Sequence, residues 1–182
     1  MTDTSEYKEK GCAKDSCMPE CTSPWEENNG TCYFWSQDKL FWGAAEERCR
    51  ELGGHLASVT TEAEHNYLRL KVGKIKTIKN LMFLQGHIHS NIWIGATDQA
   101  NEGNWTWTDC SPWNFTRWGL RDGQQQPDNS RLVEGDGENC ALLHGKNTTK
   151  QGWEDVPCNL REREFVCSRP VCSGEKSFGR SF

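Results

Sequence analysis

The segment Trp42-Gly-Ala-Ala-Glu-Glu-Arg-Cys49-Arg-Glu-Leu52-Gly53-Gly54 decides how the first half of the chain folds. Its apolar residues recur at spacings of three and four, and they are Trp42, Ala45, Cys49 and Leu52. That period places them on one face of a helix, so we predict a helix over Leu40–Leu52. Gly53 and Gly54 end it, because glycine readily adopts the left-handed conformation that terminates helices.

A second helix is predicted to start at Thr61-Glu-Ala-Glu64. In this capping-box pattern the threonine hydroxyl and the glutamate carboxylate each accept a hydrogen bond from a backbone N–H of the first turn. We expect the helix to continue through Tyr67 and Leu68 towards Val72.

Strand-like segments follow the helices: Asn91–Ala96, Asn104–Thr108, Asn139–Leu143 and Glu164–Ser168. The stretch from Cys110 to Gly137 is rich in Gly, Pro, Asn and Asp, and a loop this long in a compact domain needs a disulfide or a metal ion to hold it. We therefore predict an α+β fold, with two helices beside small, mostly antiparallel sheets and a long ordered loop.

Composition favours an extracellular, disulfide-bonded protein. The 182 residues include ten cysteines, which favour disulfides and an oxidising compartment, and the Cys17/Cys21 pair lacks the histidine partners of a zinc finger. The net charge of −5 argues against a nucleic-acid partner. The sequence contains no apolar stretch long enough to insert in a membrane and no catalytic Ser/His/Asp or Cys/His arrangement. We expect a secreted or extracellular protein, or the ectodomain of a membrane protein.

We divide the chain into three parts: a polar neck or linker over residues 1–20, a compact domain over 21–172, and a tail over 173–182.

A series of motifs in the compact domain resembles the C-type lectin-like domain. In chain order they are Trp42-x-x-Ala-x-x-x-Cys49, Gly53-Gly-His-Leu-Ala-Ser-Val59, Trp93-Ile-Gly95, Cys140, Gly152-Trp153, Cys158 and Phe165-Val-Cys167. An N-terminal hairpin around Cys21 and Cys32 is similar to the long form of that domain.

The resemblance implies three disulfides: Cys21–Cys32, Cys49–Cys167 and Cys140–Cys158. Four cysteines remain, namely Cys12, Cys17, Cys110 and Cys172. We expect a clip between the Cys12/Cys17 segment and Cys172, which leaves the other N-terminal cysteine as the candidate partner for Cys110. An interchain bond is the alternative, since sequence alone does not fix connectivity.

The resemblance also implies Ca²⁺ as a cofactor. The ligands carried over to the principal calcium site, which are also the expected sugar-binding residues, are Gln126, Asp128, Glu138, Glu154 and Asp155. Oxygens of these types are the ligands that calcium prefers. The peptide bond before Pro127 is expected to be cis, as in similar loops. Matching positions of an auxiliary calcium site are Asp98, Glu102, Asn129 and Asn139, together with Glu138.

The implied function is calcium-dependent carbohydrate binding without enzymatic activity. The order Gln126-Pro127-Asp128 is similar to the subset of the family that recognises galactose and N-acetylgalactosamine. Two features depart from that pattern. Glu154 stands where the family usually has asparagine, and an ionised carboxylate cannot donate a hydrogen bond to a sugar. No tryptophan follows Asn129 to stack on the sugar, so Trp113 and Trp118 are the candidates to replace it.

The expected partners are glycans or glycoproteins, and a disulfide-linked or non-covalent oligomer would raise avidity. Two other functions fit the same residues. One is a protein-binding receptor module with a degenerate sugar site, which Glu154 favours. The other is a calcium-dependent protein like the type II antifreeze proteins, because some of those resemble this fold.

Overall fold

A computed structural model describes residues 17–74, 91–130, 137–145 and 152–172. Within these ranges lie the helices α1 (Trp42–Glu51) and α2 (Glu62–Lys74). The strands of the same ranges are β1 (Glu26–Asn28), β2 (Thr31–Trp35), β3 (His55–Leu56), β4 (Asn91–Thr97), β5 (Thr106–Trp107), β6 (Leu120–Arg121), β7 (Gln124–Gln125), β8 (Cys140–His144), β9 (Trp153–Val156) and β10 (Val166–Pro170).

Helix α1 buries Trp42, Ala45 and Cys49, as its periodicity predicts, and α2 confirms the predicted capping box. The Glu64 N–H donates to Thr61 Oγ1 at 3.2 Å, and the Thr61 N–H donates to Glu64 Oε2 at 3.1 Å. Helix α1 starts two residues later than predicted. Leu40 instead exchanges backbone hydrogen bonds of 3.0 and 2.9 Å with Arg163, so it belongs to a β-bridge.

Two four-stranded sheets form the scaffold, with strand orders β1-β2-β10-β3 and β5-β4-β8-β9. The strands β6 and β7 make a separate two-stranded ribbon. Every pairing between these strands is antiparallel. The predicted α+β class is confirmed.

The two sheets meet where β4 passes beside β3. The Gly95 N–H donates to the Ala57 carbonyl at 2.9 Å. A Cβ atom at Gly95 would lie 2.4 Å from the carbonyl oxygen of Leu56. Only glycine permits this approach of two backbones, which explains the glycine of the Trp93-Ile-Gly95 motif.

Two buried clusters fill the interior. Trp93, Leu56 and Phe165 pack beneath α1, and Trp153 lies in the cluster that includes Leu68 of α2. Trp93 and Trp153 are both fully buried. The ring of Trp153 is surrounded by the aromatic residues Trp107, Trp113, Phe115 and Trp118, with centroid distances of 5.4 to 6.0 Å. Burying side chains of this size supplies much of the hydrophobic stabilisation and anchors β9.

The structure contains the disulfides Cys21–Cys32, Cys49–Cys167 and Cys140–Cys158 that the resemblance implies. It also contains the end-to-end clip, which joins Cys17 to Cys172 with their Cα atoms 4.8 Å apart. Cys110 is disulfide-bonded as well, and its expected N-terminal partner lies outside the described residues. The cysteine framework therefore ties the domain at both ends and through its centre.

The N-terminal neck and the C-terminal tail lie mostly outside the described residues. Residues 17–20 are described, and Met18 pairs with the last strand: its N–H donates to the Pro170 carbonyl at 2.8 Å, and its carbonyl accepts from Cys172 at 2.7 Å. The division at residues 20 and 172 stays a prediction. Among the described residues, no helix has the length and apolar composition needed to cross a membrane.

Candidate functional site

Three carboxylates converge at the base of the long loop. Oxygens of Asp128, Glu138 and Asp155 lie within 4.8 Å of one another, and we call this group the acidic cluster. Asp128 follows β7, Glu138 precedes β8 and Asp155 lies in β9. Antiparallel pairing sets Asp155 opposite Ala141 in β8, and Glu138 lies two residues before that strand.

The cluster holds the loop through backbone N–H groups. The Asp155 carboxylate accepts from Asp128 N–H at 3.1 and 3.2 Å and from Asn129 N–H at 2.8 Å. The Ser130 N–H donates to Glu138 Oε2 at 2.8 Å. The peptide bond between Gln126 and Pro127 is cis, as expected. The loop is thus hydrogen-bonded to the carboxylates that the family resemblance assigns to a metal site.

Burial makes this concentration of negative charge unfavourable. It raises the pKa of Glu138 to about 7, and the charge of Asp155 adds to that rise while the Ser130 N–H and Arg121 oppose it. Burial also raises the pKa of Asp155, against the hydrogen bonds from Asn129 and Asp128. A bound cation would favour the ionised carboxylates and reverse the effect.

Gln126, two residues before Asp128, has a buried side-chain amide. Its side chain is 2% exposed, and its Oε1 and Nε2 atoms have no hydrogen-bond partner within the described parts of the chain. A buried amide of this kind is costly without a partner. An oxygen-only donor set of three carboxylates and one amide suits a hard cation such as calcium. The residues present therefore fit the ion that the resemblance implies.

Glu154 is directed to other partners. Its Oε2 lies 2.5 Å from His144 Nε2, and its Oε1 lies 3.4 Å from Arg121 Nε. The same guanidinium donates to Glu138 Oε1 at 3.3 Å. Arg121 thus lies between Glu138 and Glu154 and places one positive charge at the edge of the acidic cluster.

Among the auxiliary calcium residues, Asn129 contacts Glu138 of the acidic cluster and Asp98 contacts Asn139. Asp98 is 2% exposed, its Oδ2 accepts from Gly103 N–H at 2.8 Å, and its own N–H donates to the Asn139 carbonyl at 3.3 Å. Asn129 Oδ1 accepts from Glu138 N–H at 3.0 Å. Glu102 is exposed. Burial and the charge of Glu102 raise the pKa of Asp98. These four residues do not add a second carboxylate cluster within the described ranges, and the auxiliary site stays a prediction.

Trp113 and Trp118 do not form an isolated stacking platform. Both pack against Trp105 and Trp153 in the buried aromatic cluster. Their main structural role is to support β9, although Trp118 also lines a neighbouring cleft.

Sequence reasoning missed Arg121 and His144. Arg121 precedes Asp122-Gly123, whose positive φ values of 51° and 85° build the turn between β6 and β7. An Asp-Gly pair is a recognisable hairpin signal, so it could have placed Arg121 on a ribbon next to the motif loop. His144 gives no such signal, because its contact with Glu154 depends on the register of β8 and β9.

Comparisons with known proteins agree with this geometry. The family model for the lectin C-type domain matches residues 38–169. The chain is 32% identical to human C-type lectin domain family 4 member D, over 91% of this chain and 66% of that protein. It is also 32% identical to the alpha-N-acetylgalactosamine-specific lectin of Patiria pectinifera, over 83% of this chain and 81% of that lectin.

Two further matches bear on fold and function. The trimeric structure of Kupffer cell C-type lectin receptor Clec4f is 31% identical, covers 83% of this chain and 85% of its own, and superposes with a TM-score of 0.62. A type-2 ice-structuring protein of Hemitripterus americanus is 27% identical, over 88% of this chain and 81% of that protein. The chain spans about two thirds of the human relative's length.

The family is a non-enzymatic, carbohydrate-binding one, so the expectation of a binding module is confirmed in its general form. Motifs, disulfides, sheet topology and family match agree: the chain belongs to the C-type lectin domain family.

Proposed function

We propose that this chain is a calcium-dependent lectin domain whose principal ion site is the acidic cluster. The supporting observation is the approach of Asp128, Glu138 and Asp155 to within 4.8 Å of one another. The buried amide oxygen of Gln126 is the proposed fourth ligand. Glu154, whose Oε1 lies 3.4 Å from Arg121 Nε, is the proposed fifth. The auxiliary residues Asp98, Glu102, Asn129 and Asn139 are proposed to hold a second ion.

The chain's own residues provide orientation and hydrogen bonds for the sugar. Calcium, when bound, supplies coordination positions that two neighbouring sugar hydroxyls can fill. The carboxylates of Asp128 and Glu138 accept hydrogen bonds from those hydroxyls, and the Gln126 amide can both donate and accept. Asp155 keeps the loop in place through the Asp128 and Asn129 N–H groups.

We further propose galactose or N-acetylgalactosamine as the terminal sugar. The order Gln126-Pro127-Asp128 supports this choice, and so does the relative from Patiria pectinifera, whose name states specificity for alpha-N-acetylgalactosamine. The proposed partners are glycoproteins in a secreted or extracellular setting, which the disulfides support. Assembly into an oligomer is proposed from the trimeric Clec4f structure.

A second candidate is a protein-binding module with a degenerate sugar site. The observation favouring it is the pairing of Glu154 with His144 and Arg121, which engages the carboxylate within the domain. If free galactose does not release the protein from a glycan-coated surface, this alternative is supported. Thermal hysteresis of a dilute solution would instead support the ice-binding alternative.

The test of the main proposal measures calcium and sugar separately. Calcium at about one hundred times its Kd should stabilise the protein against unfolding by about 2.7 kcal/mol relative to EDTA. Asp128→Asn should abolish that gain and the calcium-dependent retention on galactose resin. Glu27→Gln, at an exposed position of β1, is the control and should behave like the parent. Identical melting curves of the parent in calcium and EDTA would refute the ion site.

A further inference from the structure

A second cleft lies between α2 and the segment that leads into β6. Its volume is about 410 Å³, and its lining includes His65, Arg69, Arg117, Trp118 and Leu120. We call it the arginine cleft. No carboxylate is among its lining residues within the described chain, so its two guanidinium groups give it a positive character.

The two arginines keep most of their hydrogen-bonding capacity. Arg69 Nε donates to the His144 carbonyl at 3.3 Å, and Arg117 Nε lies 3.5 Å from Glu62 Oε2 in a pair whose side chains are both more than half exposed. A guanidinium has five N–H donors in a planar fork that matches carboxylate, sulfate or phosphate oxygens. Exposed ion pairs such as that of Arg117 exchange readily for another anion.

His65 adds a buried donor to these cations. The residue is 1% exposed, and its Nδ1 accepts a hydrogen bond of 3.2 Å from the Trp153 indole N–H. An indole only donates, so the hydrogen of the neutral imidazole is on Nε2. Burial, together with the charge of Arg69, lowers the pKa of His65 to about 4. Nε2 has no hydrogen-bond partner within the described residues, which is rare for a buried polar atom.

Two features of the cleft match the apolar part of a sugar. Trp118 presents an aromatic ring, and Leu120 is 55% exposed. The segment from Arg117 to Arg121 also links the cleft to the acidic cluster, because Arg121 contacts Glu138. Four residues span at most about 14 Å, so both sites lie within the reach of one oligosaccharide.

We propose that the arginine cleft binds an anionic oxygen group, sulfate or carboxylate, carried by a glycan. Arg69 and Arg117 hold the oxygens from the rim, and the His65 Nε2–H donates to the one that enters deepest. This inference rests on the proposed lectin function for the rest of the glycan. It assigns to the chain a preference for acidic galactosides over neutral ones.

The experiment compares three probes by calorimetric titration, in calcium and in EDTA: methyl galactoside, a sulfated galactoside and sialyllactose. In calcium, at least one acidic probe should bind about tenfold more tightly than the neutral one, as expected for charge-assisted hydrogen bonds. A preference for the sulfated or for the sialylated probe identifies the group. Equal affinities for all three probes would overturn the proposal.

The matched variants are R69Q/R117Q and R48Q. The double variant should lose the advantage of the acidic probe and keep the affinity for methyl galactoside. Arg48 lies on α1 and pairs with Glu51, so R48Q should keep both affinities. An undiminished preference for acidic probes in R69Q/R117Q would contradict the assignment.

Failure of the lectin proposal can be told apart from failure of this one. If no galactoside binds in calcium, inorganic sulfate is titrated while the ¹⁵N resonance of His65 Nε2 is followed by NMR. A saturable shift in the parent that is absent in R69Q/R117Q supports the cleft on its own. An unmoved His65 resonance overturns it.

Discussion

The acidic cluster and the arginine cleft lie beside the same short segment, residues 117–121, yet they are built in opposite ways. In the acidic cluster, the carboxylates of Asp155 and Glu138 bind backbone N–H groups of the long loop. In the arginine cleft, two cationic side chains share the lining with one buried imidazole. The comparison teaches that the charged groups of the first region hydrogen-bond the loop backbone, whereas those of the second, Arg69 and Arg117, make few contacts within the domain.

The largest expected effect comes from a substitution that forces residues 117–121 away from the start of β9. Gly152 has φ +102°, and a Cβ atom there would lie 2.2 Å from the Arg117 carbonyl oxygen and 2.8 Å from the Gly119 nitrogen. Gly152→Ala should lower the free energy of unfolding by about 4 kcal/mol, through backbone strain and overpacking. Urea denaturation measures the change.

Gly123→Ala is the control for that substitution. Gly123 also has a positive φ, of +85°, but a Cβ atom there would meet nothing within 4 Å. Only conformational strain of about 1 kcal/mol should appear. Equal losses in the two variants would show that the contact with Arg117 does not matter. Residues 117–121 would then not be a shared structural support of the two regions.

The next effect is a pH dependence of opposite sign in the two regions. His65 has a folded-state pKa of about 4, below its unfolded value, so the unfolded chain binds more protons between about pH 4 and 6.5. Its contribution to stability is complete above that range and is lost as the pH falls, by about 3 kcal/mol in total. Glu138 has a folded-state pKa of about 7, above its unfolded value. In EDTA its contribution is therefore lost as the pH rises from about 4.5 to 7.

Single variants should reveal each slope. In EDTA, His65→Gln should leave a protein whose stability falls as the pH rises through this range, and Glu138→Gln one whose stability increases. Chemical denaturation at a series of pH values provides the measurement. Parallel profiles for the two variants would mean that the regions do not differ in this way.

The smallest effect concerns Arg121, the cation at the edge of the acidic cluster. Arg121 donates to Glu138 Oε1 at 3.3 Å, so its charge opposes a second cation nearby. Arg121→Gln should tighten calcium binding about fivefold, close to the 1 kcal/mol expected for a partly exposed charge pair. Calcium titration followed by calorimetry provides the measurement. Arg48→Gln, distant from the cluster in sequence and paired with Glu51, should leave the affinity unchanged.

Local sequence signals were sufficient for the helices. The period of Trp42, Ala45 and Cys49 predicted α1, and Thr61 with Glu64 predicted the first turn of α2, because these interactions occur within one or two turns. The strand predicted over Asn104–Thr108 is shorter in the structure, Thr106–Trp107. A turn in which the Asn104 N–H donates to the Asn101 carbonyl occupies its start.

The site was only partly accessible from sequence. Family motifs identified Asp128, Glu138 and Asp155, and the structure brings these three together. The contacts of Glu154 with His144 and Arg121 require the register of two strands and the path of a ribbon, neither of which one sequence determines. No sequence motif includes His65, and its buried nitrogen without a partner among the described residues is recognisable only in the tertiary structure.

The bond between Cys17 and Cys172 has a mechanical consequence. It brings the points where the chain enters and leaves the domain to a Cα separation of 4.8 Å. A tensile force applied through the two flanking segments would therefore pass along one covalent bridge and bypass the hydrogen-bonded sheets. Force applied to the two flanking segments would therefore leave the domain folded, and the geometry of its ligand sites would not change.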